Sequence, residues 1–258
     1  MSNYYELTLV NLYLKIFKLI MIKLNKILNT QNYIPDDYST QANLDKMITK
    51  IIKDNFGSKK VLRVLDLGCG QGYSINFFNK VSNNIEWFGI DLENSPEVSG
   101  KRSSNNFYYF DGLTIPFEDD YFDIIYCKQV FEHVRHPEQL LLDILRVLKK
   151  EGVFVGTTSH LEPYHSLSIW NYTPFGFNQI LIDSGFSVLE IRPGIDSIIL
   201  IIRRALGCPK FLNIFWRIES PLNLLISIGR IFGVSHYKLN SIKLLFCGQF
   251  LFIATKIE

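Results

Sequence analysis

Cysteine is scarce in this chain of 258 residues, and the four present (Cys69, Cys127, Cys208, Cys247) lie far apart with no C-x-x-C pair. That excludes a disulfide framework and a zinc knuckle, and a reducing compartment is the expected setting. With only 16 Gly and 9 Pro, and with 47% hydrophobic against 20% charged residues, the chain is neither collagen-like nor disordered. No uninterrupted apolar run reaches the roughly 18 residues that a membrane-spanning helix needs. Net charge is also small, at +2.

That small total hides an uneven distribution. Residues 1–30 carry four lysines against Glu6, and residues 195–246 carry seven basic residues against Asp196 and Glu219, so the rest of the chain is acidic. Nucleic-acid binding would place basic residues on the main folded body, where phosphates could be tracked. Here they fall in the two most apolar segments, a combination suited to a membrane surface and not to nucleic acid. From Leu7 to Leu28, Asn11, Lys15, Lys18, Asn25, Lys26 and Asn29 cluster on one face at helical spacing, which predicts a lysine-edged amphipathic helix. Lysines interrupt it throughout and no small-residue cleavage site follows, which argues against a secretory signal. Such a helix serves equally to pack on its own domain, to dimerise or to lie in a membrane interface. The expected organisation is residues 1–35 as this N-terminal helix and residues 36–258 as one domain with a helical insertion at 195–246.

A second amphipathic helix is expected over Asp45–Asn55. Then Val61–Leu67 reads as a buried strand, followed by Gly68-Cys69-Gly70-Gln71-Gly72 and a helix over Tyr73–Lys80. Further strands are expected at Ile85–Asp91, Phe107–Asp111, Phe122–Lys128, Val153–Thr158, Ser187–Arg192 and Phe250–Lys256, with a helix over Pro137–Lys150. Alternation of strands with helices predicts an α/β fold built on a mainly parallel, doubly wound sheet. Ligands of such sheets bind outside the carboxyl ends of the central strands. A glycine loop lies there, and a backbone free of Cβ atoms lets a ligand approach. Asp91 ends the second strand nineteen residues after Gly72, where a carboxylate can accept from ribose hydroxyls, and Asp111 ends the third, where it can accept from an adenine amine. Each acid alone is also an ordinary loop or capping residue; their placement at successive strand ends is the signal.

The loop is G-x-G-x-G, with Tyr73 where the dinucleotide fingerprint has its third glycine, so a nicotinamide enzyme is disfavoured. Val64-Leu65-Asp66-Leu67-Gly68-Cys69-Gly70-Gln71-Gly72 resembles the first motif of the class I S-adenosylmethionine-dependent methyltransferases, of the methyltransferase type 11-like kind. Gly89-Ile90-Asp91 resembles their second-strand acid. Asp111-Gly112-Leu113 with Ile115-Pro116-Phe117 resembles their adenine segment, and Phe122–Ile125 through Glu132-His133-Val134 the fourth-strand motif. Leu145–Gly152 resembles the approach to the fifth strand, although Lys150 and Glu151 stand where that family often has Pro-Gly. The likeness spans residues 61–192 and, more loosely, the last strand; it leaves out 1–35 and 195–246.

This resemblance implies a Rossmann-like seven-stranded sheet with its last strand antiparallel, and S-adenosyl-L-methionine as cofactor. By position, Asp66, Gly68, Cys69, Gly70 and Gly72 would hold the methionine part. Asp91 with Leu92 would hold the ribose, and Asp111, Gly112 and Leu113 the adenine. Lys128 and Gln129 would border the sulfonium and the acceptor. Cys69 reads as a small buried residue and not a nucleophile, because no neighbouring base would lower its pKa.

Methyl transfer from a sulfonium is an in-line displacement, so alignment and exclusion of water carry most of the catalysis, and an alcohol acceptor must also lose a proton. His133, after the fourth strand, and His160 and His165, after the fifth, are the candidate bases, with His133 alternatively a packing or capping residue. His160 and His165 flank Glu162, but two histidines without an identified third ligand do not make a metal site. Downstream, Thr173-Pro174 caps a helix that closes at Gly185, similar to the corresponding element in methyltransferases of bacterial surface-glycan and small-molecule pathways.

In the insertion, Cys208-Pro209 and Ser220-Pro221 are each expected to start a short helix. Phe211, Leu212, Ile214, Phe215, Trp216, Leu222, Leu224, Leu225, Ile226 and Ile228 are too many for a small solvated lid, and must bury against the sheet, another subunit or lipid. The resulting expectation is an O-methyltransferase, peripheral on the cytoplasmic face of a membrane, acting on a lipid-linked saccharide or other cell-envelope precursor. Its alternatives are methylation of an isoprenoid quinone or other apolar small molecule, and a non-catalytic cofactor-binding partner at the membrane. Oligomeric state is not readable from the sequence.

Overall fold

The computed structural model describes residues 15, 32–57, 61–95 and 106–257. The helix expected over residues 7–28 lies outside this set, apart from Lys15. The strands are β1 (Leu62–Leu67), β2 (Ile85–Leu92), β3 (Phe107–Phe110), β4 (Phe122–Lys128), β5 (Leu148–Ser159), β6 (Phe186–Pro193) and β7 (Gln249–Lys256). They form one seven-stranded sheet in the order β3-β2-β1-β4-β5-β7-β6. The first five are parallel, and β7 runs antiparallel between β5 and β6. The reversal of strand order beside β1 opens a crevice at its carboxyl end, where a ligand of such a sheet sits.

The α-helices are α1 (Leu44–Ile51), α2 (Ser74–Val81), α3 (Pro137–Val147), α4 (Pro174–Asp183), α5 (Ser197–Ala205), α6 (Pro221–Ser227) and α7 (His236–Phe246). β1 and β4 are apolar on both sides because both faces of the sheet are covered. On one face Leu65, Ile125 and Phe154 pack with Leu141 and Ile144 of α3, Phe177 of α4 and Ile242 of α7; on the other Val64, Ile124 and Val155 pack with Met47 and Ile48 of α1 and Phe78 of α2. At about 25 cal/mol per Å² of apolar area, this two-sided burial is the main force holding the sheet.

Two expected helices are shorter than their sequence pattern. α1 starts at the Asn43 cap, whose Oδ1 accepts from the Lys46 amide at 3.0 Å, but after Ile51 the chain widens into a π turn over Ile52–Phe56 and stops at Gly57. α3 ends at Val147 because Leu148 already pairs with Phe122, so Leu148–Lys150 belong to the strand and not to the expected helix. Thr173 caps α4 as expected, accepting from the Gly176 amide at 3.0 Å.

The segment expected as an insertion lies between β6 and β7. It comprises α5, a 3-10 helix over Lys210–Trp216, α6, a 3-10 turn over Ile228–Phe232, and α7; α5 and α7 were not anticipated. Polar ties fix it to residues 36–43. Gln41 accepts from the Ser220 amide and from Asn223 Nδ2, each at 3.0 Å, and donates to the Phe215 carbonyl at 2.8 Å. Lys243, fully buried, donates to the Ser39 carbonyl and to Ser227 and pairs with Glu219.

The expected burial of the insertion's apolar residues is met only in part. Leu212 and Ile226 are buried, but Phe211, Ile214, Leu224, Leu225 and Ile228 are exposed, as are Ile198, Ile201 and Ile231. The 3-10 segments and the seven-residue α6 are too short to turn all these side chains one way, so half of the apolar set points outward. Among the described residues no helix is long and apolar enough to cross a membrane.

Candidate functional site

β1, β2 and β4 end level with one another, since Leu67 pairs with Ile90 and with Cys127. Gly68, Asp91 and Lys128 therefore share one rim. The loop after β1 turns sharply through Gly68, Gly70 and Gly72, all at positive φ (70°, 51° and 75°). A Cβ on Gly72 would come within 2.4 Å of the Phe107 ring, and one on Gly68 within 2.5 Å of Val130. Both backbone handedness and space thus demand glycine there.

Two buried carboxylates lie under this loop. Asp91 accepts from the Gly70 amide at 2.7 Å through Oδ2 and from its own Leu92 amide at 2.8 Å through Oδ1. Asp66, at the end of β1, accepts from the Ser74 hydroxyl, which in turn accepts from Trp87 Nε1 at 2.9 Å. Burial pushes the Asp66 carboxyl up to about 7; Ser74 opposes this, Asp91 adds to it, and Lys128 and Trp87 oppose it. Further along the rim Asp111 is exposed, and its Oδ1 accepts from the Leu113 and Thr114 amides at 2.8 and 2.6 Å, which holds its carboxyl below the usual range. Gly112, at φ 89°, passes close to Leu92, which is exposed beside it. Cys69 is buried, with Sγ directed at the space beside Gly89, as expected for a packing residue.

A second polar group gathers past β4 and β5. Gln129 sits at φ 56°, a left-handed conformation rarely adopted outside glycine, and its amide group reaches the Glu132 carboxylate. Glu132 is fully buried in the 3-10 turn Phe131–His133 and accepts from Thr158 at 3.1 Å, with the Ser159 hydroxyl, whose one proton is shared with Glu162, 3.2 Å away. Burial lifts its carboxyl to about 7, helped by the charge of Glu162. The loop after β5 folds back on this turn, with the Ile169 and Trp170 amides donating to the Glu132 carbonyl and Trp170 Nε1 donating to the Val134 carbonyl at 2.8 Å. That return brings His165 between two acids: Nε2 lies 3.8 Å from Glu132 Oε1, and Nδ1 lies 3.7 Å from Glu162 Oε1. The His133 and His165 rings stand edge to face, 5.4 Å apart. Glu162 is held by Ser159 and Gln249, each at 2.7 Å.

His133 and His165 are thus brought together. His160 is directed elsewhere, its Nδ1 lying 2.9 Å from the Tyr172 carbonyl, and its burial lowers the ring's pKa. Glu132 was visible in the sequence only as part of a motif, and Gln249 not at all. The available signal was that Glu132 precedes a histidine directly after a buried strand.

Glycines at positive φ above two buried acids, with a third acid two strands along, suit a ligand with a cationic group, a diol and an amine-bearing base. The ordering of acids across β1, β2 and β3 is similar to that of class I S-adenosylmethionine-dependent methyltransferase domains, and S-adenosyl-L-methionine is the group this rim fits. Residues 65–156 match the family model described as a methyltransferase domain.

The chain is 23% identical over 122 residues to the ubiquinone biosynthesis O-methyltransferase of Rickettsia prowazekii, covering 43% of this chain and 45% of that protein. It is 26% identical over 112 residues to phthiotriol/phenolphthiotriol dimycocerosates methyltransferase 1 of Mycobacterium ulcerans, covering 42% of this chain and 41% of that one. It therefore spans less than half the length of these curated relatives. Among solved structures, phosphoethanolamine N-methyltransferase 2 of Haemonchus contortus, in complex with phosphomonomethylethanolamine and S-adenosylhomocysteine, shares the fold. Its TM-score is 0.52 at 18% identity, over 83% of this chain and 53% of that one.

Proposed function

We propose that the protein transfers the methyl group of S-adenosyl-L-methionine to a hydroxyl oxygen of a membrane-borne acceptor, a lipid-linked saccharide or related cell-envelope precursor. The observation that carries this reading is the Glu132, His133, Glu162 and His165 group at the ends of β4 and β5, beside the glycine rim. An amine acceptor presents its own lone pair, whereas a hydroxyl needs its proton removed, and this group is suited to that task.

The chemistry that S-adenosylmethionine supplies here is an electrophilic methyl on a sulfonium, with a neutral thioether as leaving group. Asp91 binds the ribose diol with the lone pairs that its amide partners leave, and Asp66 faces the methionine ammonium. Asp111 receives the adenine amine beside Gly112 and Leu113, and Leu92 flanks the ribose. The Gly68 to Gly72 backbone, with Cys69 packed beneath, lets the ligand lie close. Lys128 and Gln129 border the methyl and its acceptor. His165 and His133 activate the hydroxyl, with Glu132 and Glu162 holding the His165 ring in place; His160, on the same loop, supports the fold of the acceptor side through Tyr172.

Support for a membrane-borne acceptor comes from the outward apolar face of residues 198–231, interspersed with Arg203, Arg204, Lys210, Arg217 and Arg230. The association is peripheral, on the cytoplasmic side, and independent of nucleic acid. A second reading, methylation of an isoprenoid quinone, is favoured by the similarity to the ubiquinone biosynthesis O-methyltransferase of Rickettsia prowazekii.

The test has two arms. Calorimetric titration with S-adenosylmethionine should show one site per chain; no heat of binding at all would overturn the enzyme reading and the non-catalytic cofactor-binder alike. Incubation with methyl-labelled donor and a total membrane lipid extract should carry label into the lipid phase in alkali-stable form. Label confined to water-soluble products would overturn the membrane-borne acceptor, and binding without any transfer would leave a non-catalytic cofactor-binding partner.

A further inference from the structure

We infer that Glu132, His133 and His165 form a binding site for one divalent transition-metal cation, placed to take the acceptor's hydroxyl oxygen as a further ligand. One ligand atom from each lies within 4.8 Å of the other two. Two imidazoles and one carboxylate are a donor set for zinc, iron(II), cobalt(II) or manganese(II), and with three protein ligands they leave coordination positions open. Metal–ligand bonds of about 2.0–2.2 Å require the donor atoms to close to roughly 3.0–3.5 Å, a contraction that small side-chain rotations supply. The Glu132–His165 separation, at 3.8 Å, is already near that range.

Three further features of the site fit metal binding. Glu132 is fully buried and accepts from Thr158, which aims the carboxylate and still leaves lone pairs for a cation, while the single Ser159 proton lies nearer Glu162. His165 has Nε2 toward Glu132 while Nδ1 faces Glu162, which is itself fixed by Ser159 and Gln249. A carboxylate behind a histidine, orienting the ring and fixing its tautomer, is the usual second layer of a metal site. Finally, the loop that carries His165 is fastened to the turn that carries Glu132 and His133 by three hydrogen bonds, from the Ile169 and Trp170 amides and Trp170 Nε1. The ligands are thus preorganised across two segments that the sequence keeps far apart.

Its role deepens the methyl-transfer reading and rests on it: with His133 and His165 engaged as ligands and not as bases, the cation acidifies the bound hydroxyl, the proton passes to water, and the oxygen forms its bond to the methyl carbon as the carbon–sulfur bond breaks. Cation binding itself does not depend on that reading. The full-length protein, stripped with chelator and equilibrated with cobalt(II), should retain one cobalt per chain after gel filtration and show the visible absorption of a nitrogen- and oxygen-ligated site. His165→Gln and His133→Gln should each weaken cobalt binding at least tenfold, while His236→Gln, on α7 against Ser39, should bind as the parent does. Because Glu132 is buried, Glu132→Gln is read only alongside a melting curve showing that it folds. No retained cobalt in the parent, or equal retention in both His165→Gln and His133→Gln, would overturn the cation site whether or not methyl transfer is observed. Cobalt bound at the site with no methyl transfer to any lipid would instead count against the reaction.

Discussion

Asp91 Oδ2 accepts a hydrogen bond from the backbone amide of Gly70 at 2.7 Å, tying the end of β2 to the tip of the loop after β1. One carboxylate thereby fixes the loop's shape and presents its remaining lone pairs along the rim. In this protein the acid proposed for the ribose is therefore also a structural support of the loop proposed for the methionine part.

Replacing Asp91 should accordingly do two things at once. Asp91→Ala is expected to weaken S-adenosylmethionine binding roughly 10- to 100-fold, which corresponds to about 1.5–3 kcal/mol for hydrogen bonds to a charged group. It should also release the Gly70 amide, seen as faster hydrogen exchange in residues 68–72. Calorimetry showing parental affinity would remove Asp91 from the site.

Asp66, proposed to face the methionine ammonium, should make cofactor binding pH-dependent. Its carboxyl stands at about 7 in the fold, mainly through burial, against an ordinary value of 3.8. A carboxyl raised in the folded state contributes stability that is fully present below its unfolded value and is lost as pH rises through the folded one. The unliganded protein should therefore lose stability as pH climbs from about 4 to about 7. Binding of a cationic donor favours ionised Asp66, so affinity should rise roughly tenfold from about pH 6 to about pH 8. Asp66→Asn should flatten both profiles, which parallel melting and calorimetric series would reveal.

Lys243 is the polar hub between the insertion and residues 36–43. It is fully buried, pairs with Glu219, and donates to Ser39 and Ser227. Lys243→Met leaves Glu219 without its cation and should destabilise the protein by about 3 kcal/mol, the low end for a broken buried pair because Glu219 keeps some contact with water. Adding Glu219→Gln should restore part of that loss. A double variant no better than the single one in denaturant titration would show that the pair is not what holds the insertion.

The outward face of the insertion should bind anionic vesicles. Phe211 and Ile231 are among its most exposed side chains, at 69% and 81%. Burying each in lipid is worth about 1.5–3 kcal/mol, so Phe211→Glu with Ile231→Glu should abolish flotation with the vesicles. Raising salt should weaken the parent's binding through screening of Arg203, Arg204 and Arg217. A parent protein that stays in the soluble fraction at low salt would reject the surface.

Several elements were legible because their causes are local. The run Val64–Leu67 is apolar at every position but Asp66, and the glycines after it mark where the backbone must turn left-handed; both are written within nine residues. The same holds for the Thr173 cap and for the strand-end acids. α3 was read three residues too long because nothing in Leu148-Lys149-Lys150 announces that Phe122, far upstream, will pair with Leu148. Between β6 and β7, α5 and α7 were missed and the fate of the apolar residues was left open.

The sequence by itself determined the doubly wound sheet, the glycine rim and the acids Asp66, Asp91 and Asp111, since periodicity, turn handedness and strand ends follow from neighbouring residues. Only the tertiary structure decided that His165, and not His160, meets His133 and Glu132, and that the insertion turns Phe211 and Ile231 outward. Those outcomes depend on contacts between residues about 30 or more positions apart, on the Glu132 carbonyl capturing the Ile169 and Trp170 amides and on Gln41 capturing the Ser220 amide and the Asn223 side chain, and no local pattern encodes them.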